Sequence, residues 1–287
     1  MPAPSHRIDT EHKTQPMQNW KLTLSYDGAA YYGWQVQPGL PTIQGELQAA
    51  LRRMLGTEWG DVPLPQGSGR TDAGVHALGQ VASFALAAPI PAENLLRALN
   101  RTLPSAIRIL EIEVVPDDFH ARHSAVAKTY EYRIFRGALC SPFLAPYVHT
   151  CRWKLNMDAI TQAASAVVGE HDFTSLAASD PDLAGRIEEA SEESLEPAVR
   201  SNIRSVFSSE WEEPSEDLLI YRVRGNGFLH HMVRNLVGTM LEIGRGQFPA
   251  GSMTQILETR SRSAAGPTAP AKGLFLHSVE YLYNSLL

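Results

Sequence analysis

The chain has 287 residues, 44% of them hydrophobic and 20% charged, an ordinary globular composition with length for one large core or two smaller ones. No apolar run approaches the roughly 18 residues of a membrane-spanning helix, the first 19 residues lack the apolar stretch of a secretory signal, and two cysteines, Cys140 and Cys151, make neither a disulfide framework nor a zinc pattern. The net charge of −6, taken alone, argues against a nucleic-acid partner.

Residues 1–19 read as a disordered tail. The stretch "WKLTLSYDG" (20–28) alternates apolar and polar residues and ends in a turn, which predicts a strand. "TIQGELQAALRRML" (42–55) predicts a helix with Thr42 as N-cap and Ile43, Leu47, Ala50, Leu51 and Met54 on one face. "DVPLPQGSG" (61–69) is a weak strand running into glycines, and "GQVASFAL" (79–86) is a strand. "AENLLRALN" (92–100) is a helix and "AIRILEIEVV" (106–115) a strand, so the order to this point is β-α-β-β-α-β.

The second half repeats it. "AKTYEYRIF" (127–135) is a strand with Tyr130, Tyr132 and Ile134 on one side, and "MDAITQAASAVVG" (157–169) is a helix. "SDPDLAGRIEEASEESLEP" (179–197) reads as a solvated, mobile acidic insertion. It skews the charge balance: Asp180 to Asp217 hold twelve acidic and three basic residues, a net of −9, which leaves 22 basic and 19 acidic residues, a net of +3, elsewhere. The global charge is therefore a poor guide to any one face. "SNIRSVFSSEW" (201–211) and "DLLIYRVRG" (217–225) form a strand pair. "FLHHMVRNLVGTMLEIG" (228–244) is a helix with Met232, Leu236, Val237 and Met240 inward, followed by a short helix, "MTQILETR", and a closing strand, "LFLHSVEYL" (274–282). The expectation is an α+β fold of two ferredoxin-like halves, 20–126 and 127–287, with their sheets edge to edge and a cleft between them.

The segment "GSGRTDAGVHALGQVASF" (67–84) sets an Arg and an Asp two apart on a glycine-rich loop before a strand. It lacks the third glycine of a dinucleotide fingerprint, the Gly-Lys-Ser/Thr of a P-loop and the Gly-x-Ser-x-Gly of a nucleophile elbow. The ordinary reading of Asp72 is an Asx-turn. Against it, Arg70 can pair with the carboxylate, fix its rotamer and favour its charged form, and Gly69 and Gly74 let another molecule approach the backbone. A fixed carboxylate in a cleft is a nucleophile or a base. His230 and His231 precede Arg234 in the second half without the His-Glu-x-x-His spacing of zinc sites. One histidine is expected in the core and the other as a cap or facing the cleft. Arg234 is a solvated helix arginine or a contact to a phosphate or carboxylate. Tyr130, beside Lys128, is either sheet packing or a stacking platform for a base.

Taken together these segments are recognisable. "GSGRTDAGVHALGQVASF" resembles the catalytic signature of bacterial TruA-type tRNA pseudouridine synthases, as do "YDGAAYYGWQ" (26–35), "TIQGELQAAL", "PDDFHARHSA" (116–125), "KTYEYRI" (128–134), "GEHDFTSL" (169–176), "NGFLHHMVRNLVGTM" (226–240) and "GLFLHSVEY" (273–281). The resemblance spans about residues 20–283; the tail before Trp20 is extra and the acidic segment looks longer than is usual. It implies a homodimer of two-half subunits with an extended, mainly antiparallel sheet, no metal and no organic cofactor, while the two unpatterned cysteines point to a reducing cytoplasm. It also implies tRNA as substrate, isomerised at uridines 38, 39 and 40. Asp72 is then the catalytic carboxylate and Arg70, Tyr130 and Arg234 bind substrate, with Arg70 orienting Asp72 and filling the gap left in the RNA. Asp72 can attack C1′, attack C6 of uracil or take a proton from C2′, and the sequence leaves these open. Two other classes compete with the isomerase: a glycosidase-like hydrolase, although no second carboxylate stands beside the signature, and a non-catalytic RNA-binding protein.

Overall fold

The computed structural model describes residues 17–56, 62–87, 90–178 and 201–282. Residues 1–16 of the expected tail and the acidic insertion expected at 179–197 lie outside the described residues. The first strand, β1 (Gln18–Tyr26), starts two residues earlier than its alternation suggested, and its Trp20, Leu22, Leu24 and Tyr26 are buried. They share one core with Ile43, Leu47 and Leu51 of helix α1 (Ile43–Leu55) and with Leu95 and Leu99 of α2 (Ala92–Thr102). Thr42 caps α1 as expected: its Oγ1 accepts from the Gly45 N–H at 3.3 Å.

The other first-half strands are β2 (Gln66–Gly67), β3 (His76–Leu86) and β4 (Ile107–Val115). The second half comprises β5 (Ala125–Phe135), β6 (His149–Thr150), α3 (Met157–Ser165), β7 (Gly169–Asp172), β8 (Ile203–Ser215), β9 (Leu218–Gly225), α4 (Met232–Gly244), α5 (Ser252–Thr259) and β10 (Leu274–Tyr281). The strands form one ten-stranded sheet in the order β4-β1-β3-β10-β5-β9-β8-β7, with β2 on β3 and β6 on β5. Each half thus repeats one strand order, β4-β1-β3-β2 in the first and β10-β5-β9-β8 in the second, so the α+β expectation of two ferredoxin-like halves agrees with the observed topology. The pairing is antiparallel except for β5 with β6 and β10 with β3.

The two halves meet at β3 and β10, through only two register pairs, His76 with Phe275 and Ala77 with Leu276. The same edge of β3 is taken at its far end by β2, opposite Ala82 and Ser83. The glycine-rich loop therefore leaves the sheet between two short pairings on one strand.

Several boundaries differ from expectation for local reasons. The strand expected over 61–69 shrinks to Gln66–Gly67, because Pro63 and Pro65 have no N–H to offer a ladder. Strand β3 begins at His76, inside the signature, and β6 and β7 are too short to announce themselves by alternation. The helix expected over 228–244 begins at Met232, because His231 takes a left-handed conformation with φ 59°. The division expected after residue 126 falls within β5.

On the face of β5 opposite Tyr130 and Tyr132, Glu131 is 3% exposed and accepts from Arg133 Nε at 2.6 Å and from Arg222 Nε at 2.9 Å. Arg222 also pairs with Glu212 of neighbouring β8, and Arg224 of β9 reaches over β5 to Glu280 of β10 at 2.7 Å. Burial alone would raise the Glu131 pKa, but the hydrogen bonds and charges of Arg133 and Arg222 outweigh it and hold the carboxyl below the ordinary glutamate range. A depressed carboxylate stabilises the fold above its unfolded pKa, and this contribution is lost as pH falls through the folded value. Glu131→Gln should therefore lower stability at pH 7 by about 2 kcal/mol and flatten the loss of stability below about pH 4.5. Thermal melts of both proteins between pH 3 and 7 check it; parallel curves would exclude the assignment.

Candidate active site

Asp72 lies on the loop between β2 and β3, and the segment after β1 holds that loop in place. Trp34 N–H donates to Thr71 O at 3.0 Å, Gly74 N–H to Tyr31 O at 3.2 Å and Val75 N–H to Asp72 O at 3.1 Å. The Tyr26 hydroxyl and Thr71 Oγ1 are 2.8 Å apart in the core. On the other side of the loop, Ser68 Oγ donates to Gln80 Oε1 at 2.7 Å, and Gln80 Nε2 donates to Gly69 O at 3.0 Å. Gly33 has φ +88°, and a Cβ there would stand 2.5 Å from Thr71 O. Gly74 has φ +76°. Gly33 thus serves the chain's own close packing, whereas a Cβ at Gly74 would meet only Ala271 Cβ at 3.5 Å and one at Gly69 only Lys128 Nζ at 3.3 Å.

The Asp72 carboxylate reaches across to the second half instead of closing an Asx-turn. Arg234 Nη1 donates to Asp72 Oδ2 at 2.8 Å, between residues 162 apart in sequence. Arg234 is on the first turn of α4, and its Nε donates to Ala269 O at 2.8 Å, which aims the guanidinium. His231 Nε2 lies 3.3 Å from Asp72 Oδ2, and His230 Nε2 lies 3.6 Å from Oδ1. The two imidazole rings are 3.9 Å apart between centroids. So both histidines stand at the carboxylate, and neither is the core residue that one was expected to be. The left-handed turn at His231 is what lets consecutive side chains reach the same group; on a continuous helix they would point about 100° apart. Burial lowers the His231 pKa below the ordinary histidine range; Asp72 opposes this, and His230, Arg234 and Arg262 add to it, which favours the neutral ring.

Around Asp72 is a cavity of about 890 Å³, lined by residues of both halves. Its cations are Arg70, Arg122, Lys128, Arg204 and Arg234, joined by four histidines, while Asp72 is the only carboxylate among the described lining residues. All four expected site residues, Arg70, Asp72, Tyr130 and Arg234, line it. The guanidinium seen on Asp72 is that of Arg234. Tyr130 lies on the cavity wall but is 8% exposed, with its ring edge-on to Phe228 at 5.1 Å, so its open aromatic face is smaller than a stacking platform suggested. Burial, then the nearby Tyr26 and Asp72, push its hydroxyl well above the ordinary tyrosine range, so it stays protonated. Ligand-capable atoms of Asp72, His230 and His231 lie within 4.8 Å of one another, as a bound metal ion would need. The Arg234 guanidinium already on that carboxylate opposes a cation there.

An aspartate ion-paired across a cleft, among cations and one buried tyrosine, defines a site for chemistry on an anionic substrate. The comparisons with known proteins agree. The sequence profile described as tRNA pseudouridine synthase matches residues 23–124 and 163–282. A tRNA pseudouridine synthase A of Solibacter usitatus (strain Ellin6076) is 50% identical over 265 residues, covering 92% of this chain and 100% of its own. Those of Lacticaseibacillus casei (strain BL23) and Bacillus pumilus (strain SAFR-032) are 43% and 41% identical, over 92% and 91% of this chain and 100% and 98% of theirs. The chain belongs to the tRNA pseudouridine synthase family.

If the contact of residues 28–35 with the Asp72 loop sets the carboxylate's position, Gly33→Ala should disturb both stability and rate. The new Cβ meets a backbone carbonyl at a positive φ. The expected loss is about 1–3 kcal/mol, with turnover down by tenfold or more because a small misplacement of a reacting group is costly. A variant that melts and turns over like the parent would separate the contact from catalysis.

Proposed function

We propose that this tRNA pseudouridine synthase isomerises uridines 38, 39 and 40 of the tRNA anticodon stem-loop, using Asp72 as its essential carboxylate. The observation that carries this reading is one carboxylate, among the described lining residues, in a cavity whose other charged lining groups are cations, held by an arginine from the opposite half. Family membership supplies the reaction class, and the bacterial relatives named tRNA pseudouridine synthase A favour the anticodon-arm uridines. We infer a homodimer from the same resemblance and a cytoplasmic location from the sparse, unpatterned cysteines.

The chemistry balances without an oxidant or added water. The N1–C1′ bond breaks, the uracil turns, C5 joins C1′, and the hydrogen lost from C5 is matched by the one gained at N1. Asp72 acts at the sugar or the base, as nucleophile at C1′ or C6 or as base at C2′. Arg234 fixes the carboxylate, so that no reorganisation is needed when substrate arrives. The target must leave the RNA stack, at a cost of a few kcal/mol. Contact with Tyr130 offsets about 1–3 kcal/mol of it, and Arg70 occupies the vacated space. Phosphates find the cationic wall despite the overall charge of −6, because the acidity is concentrated between Asp180 and Asp217.

The test is release of tritium from tRNA labelled at C5 of uridine. The wild-type protein should release it and convert uridine to pseudouridine; free uracil would mark a hydrolase, and neither product a binding protein. Asp72→Asn should lower the rate by at least about a thousandfold with tRNA affinity within a few-fold, and a folded Asp72→Asn protein that keeps turning over would remove Asp72 from the mechanism. Tyr130→Phe should keep affinity, whereas Tyr130→Ala should lose most activity; equal, wild-type rates would return Tyr130 to packing alone.

A further inference from the structure

Lys128 stands two residues before Tyr130 on β5, on the same face of the strand and about 7 Å along it. Both line the cavity. Lys128 Nζ donates to Ser68 O, and a Cβ at Gly69 would lie 3.3 Å from that nitrogen, so the ammonium is wedged against the loop that carries Asp72. Arg122 and Arg204 line the cavity as well. The Arg204 guanidinium is held by its own backbone, donating to Ser201 O at 2.7 Å and Ile203 O at 2.6 Å. Burial, then the charge of Arg122, bring the Lys128 pKa down to about 8, and burial also lowers that of Arg204. Like charges gathered in a partly desolvated wall destabilise one another, and an anion placed between them relieves that repulsion.

We propose that Lys128, flanked by Arg122 and Arg204, seats a backbone phosphodiester of the bound tRNA next to the nucleotide received at Tyr130. The proposal rests on the tRNA reading above and names the group that recognises the RNA backbone at that same site. Lys128 gives register here and carries no base information. When the phosphate arrives it keeps the ammonium protonated, so binding takes up a proton wherever the free protein has lost one.

The experiment measures affinity of the full chain for an unmodified tRNA transcript by fluorescence anisotropy, in the Asp72→Asn background so that turnover does not interfere, from pH 7 to 9.5 and at several salt concentrations. The charged and titratable groups sharing this part of the cavity are His120, Arg122 and His123 from the loop before β5, Arg70 and Asp72 from the loop after β2, and Arg204 from β8. The pH window lies above the ordinary histidine range, and the same series on Lys128→Gln supplies the baseline for the uracil, guanine and thiol groups that also titrate there. With Lys128 present, affinity should fall above pH 8, approaching tenfold per unit. Lys128→Gln, which keeps a donor for Ser68 O, should bind at least tenfold more weakly at pH 7.5, lose the alkaline decline and reduce the magnitude of the salt slope by about 0.7–0.9. Lys128→Arg, charged at every pH used, should recover affinity without the decline. Thermal melts establish that each variant is folded. An alkaline decline that is absent with Lys128 present, or persists unchanged in folded Lys128→Gln, overturns the phosphate seat and leaves Lys128 a prop for Ser68. Failure of the wild-type protein to release tritium from tRNA is a different result, which overturns the functional reading.

Discussion

The bond between Asp72 and Arg234 is the constraint around which the rest of the structure is arranged. It joins a loop of the first half to a helix of the second, over 162 residues of sequence and 2.8 Å of space. Within the sheet, the described pairing between the two halves amounts to two register pairs of β3 and β10. The position of the carboxylate therefore depends on that seam and on how firmly each side is braced. On one side, Thr71 and Asp72 are held by the backbone of Trp34 and Val75 and by Tyr26. On the other, Arg234 is tied to Ala269, whose own N–H donates back to Arg234 O at 3.1 Å. Asn235 then fixes the surrounding loop, accepting from Thr268 Oγ1 at 2.6 Å and from Arg262 at 3.1 Å while donating to Leu176 O at 2.7 Å. The Asp72 carboxylate is braced from two directions, which is what electrostatic preorganisation requires of a scaffold.

Much of this architecture was legible as period. Alternation in 20–26, 107–115 and 218–225 gave strands, and 3.6-residue spacing in 43–55 gave a capped helix, because each of these elements packs one face on the common core. The repeated β-α-β-β-α-β order then constrains the topology strongly. What periodicity does not carry is anything decided by one residue's φ or by a distant partner. Two polar residues before an apolar run look like the start of a helix, and only the left-handed turn at His231 separates them from it. Strand β2 lasts two residues, too few for any alternation.

The site was legible in kind, with one of its contacts open between two partners. The Arg-x-Asp spacing drew attention to Asp72 and suggested the near arginine as a partner, while Arg234 reads from sequence as a contact to a phosphate or a carboxylate; the structure shows the Arg234 guanidinium on Asp72. Sequence could not choose between those contacts for Arg234, since the two residues are 162 apart and meet only through the topology. The pair His230–His231 carried a signal, two consecutive imidazoles without metal spacing, but their shared approach to one carboxylate follows from backbone geometry alone. Lys128 attracted notice only as a neighbour of Tyr130, because its significance lies in its burial and in the company of Arg122.

The altered proton affinities around the cavity have a common cause. Lys128, Tyr130 and His231 come from different parts of the chain, and loss of solvent is what chiefly pushes all three toward their neutral forms. A wall that disfavours charge on three groups of different chemistry is one of reduced effective dielectric, in which the remaining charges interact more strongly than they would in water. Asp72, by contrast, faces Arg234 at 2.8 Å with its carboxylate 23% exposed. The cavity thus divides the work: Tyr130 and His231 line it in their neutral forms, the guanidiniums and the Lys128 ammonium set the field, and one carboxylate retains access to the space where an RNA nucleotide would enter. This division explains how a protein of net charge −6 can present a cationic interior to a polyanion, since the field that substrate meets is set by the few charges lining the cavity and not by their sum over the surface.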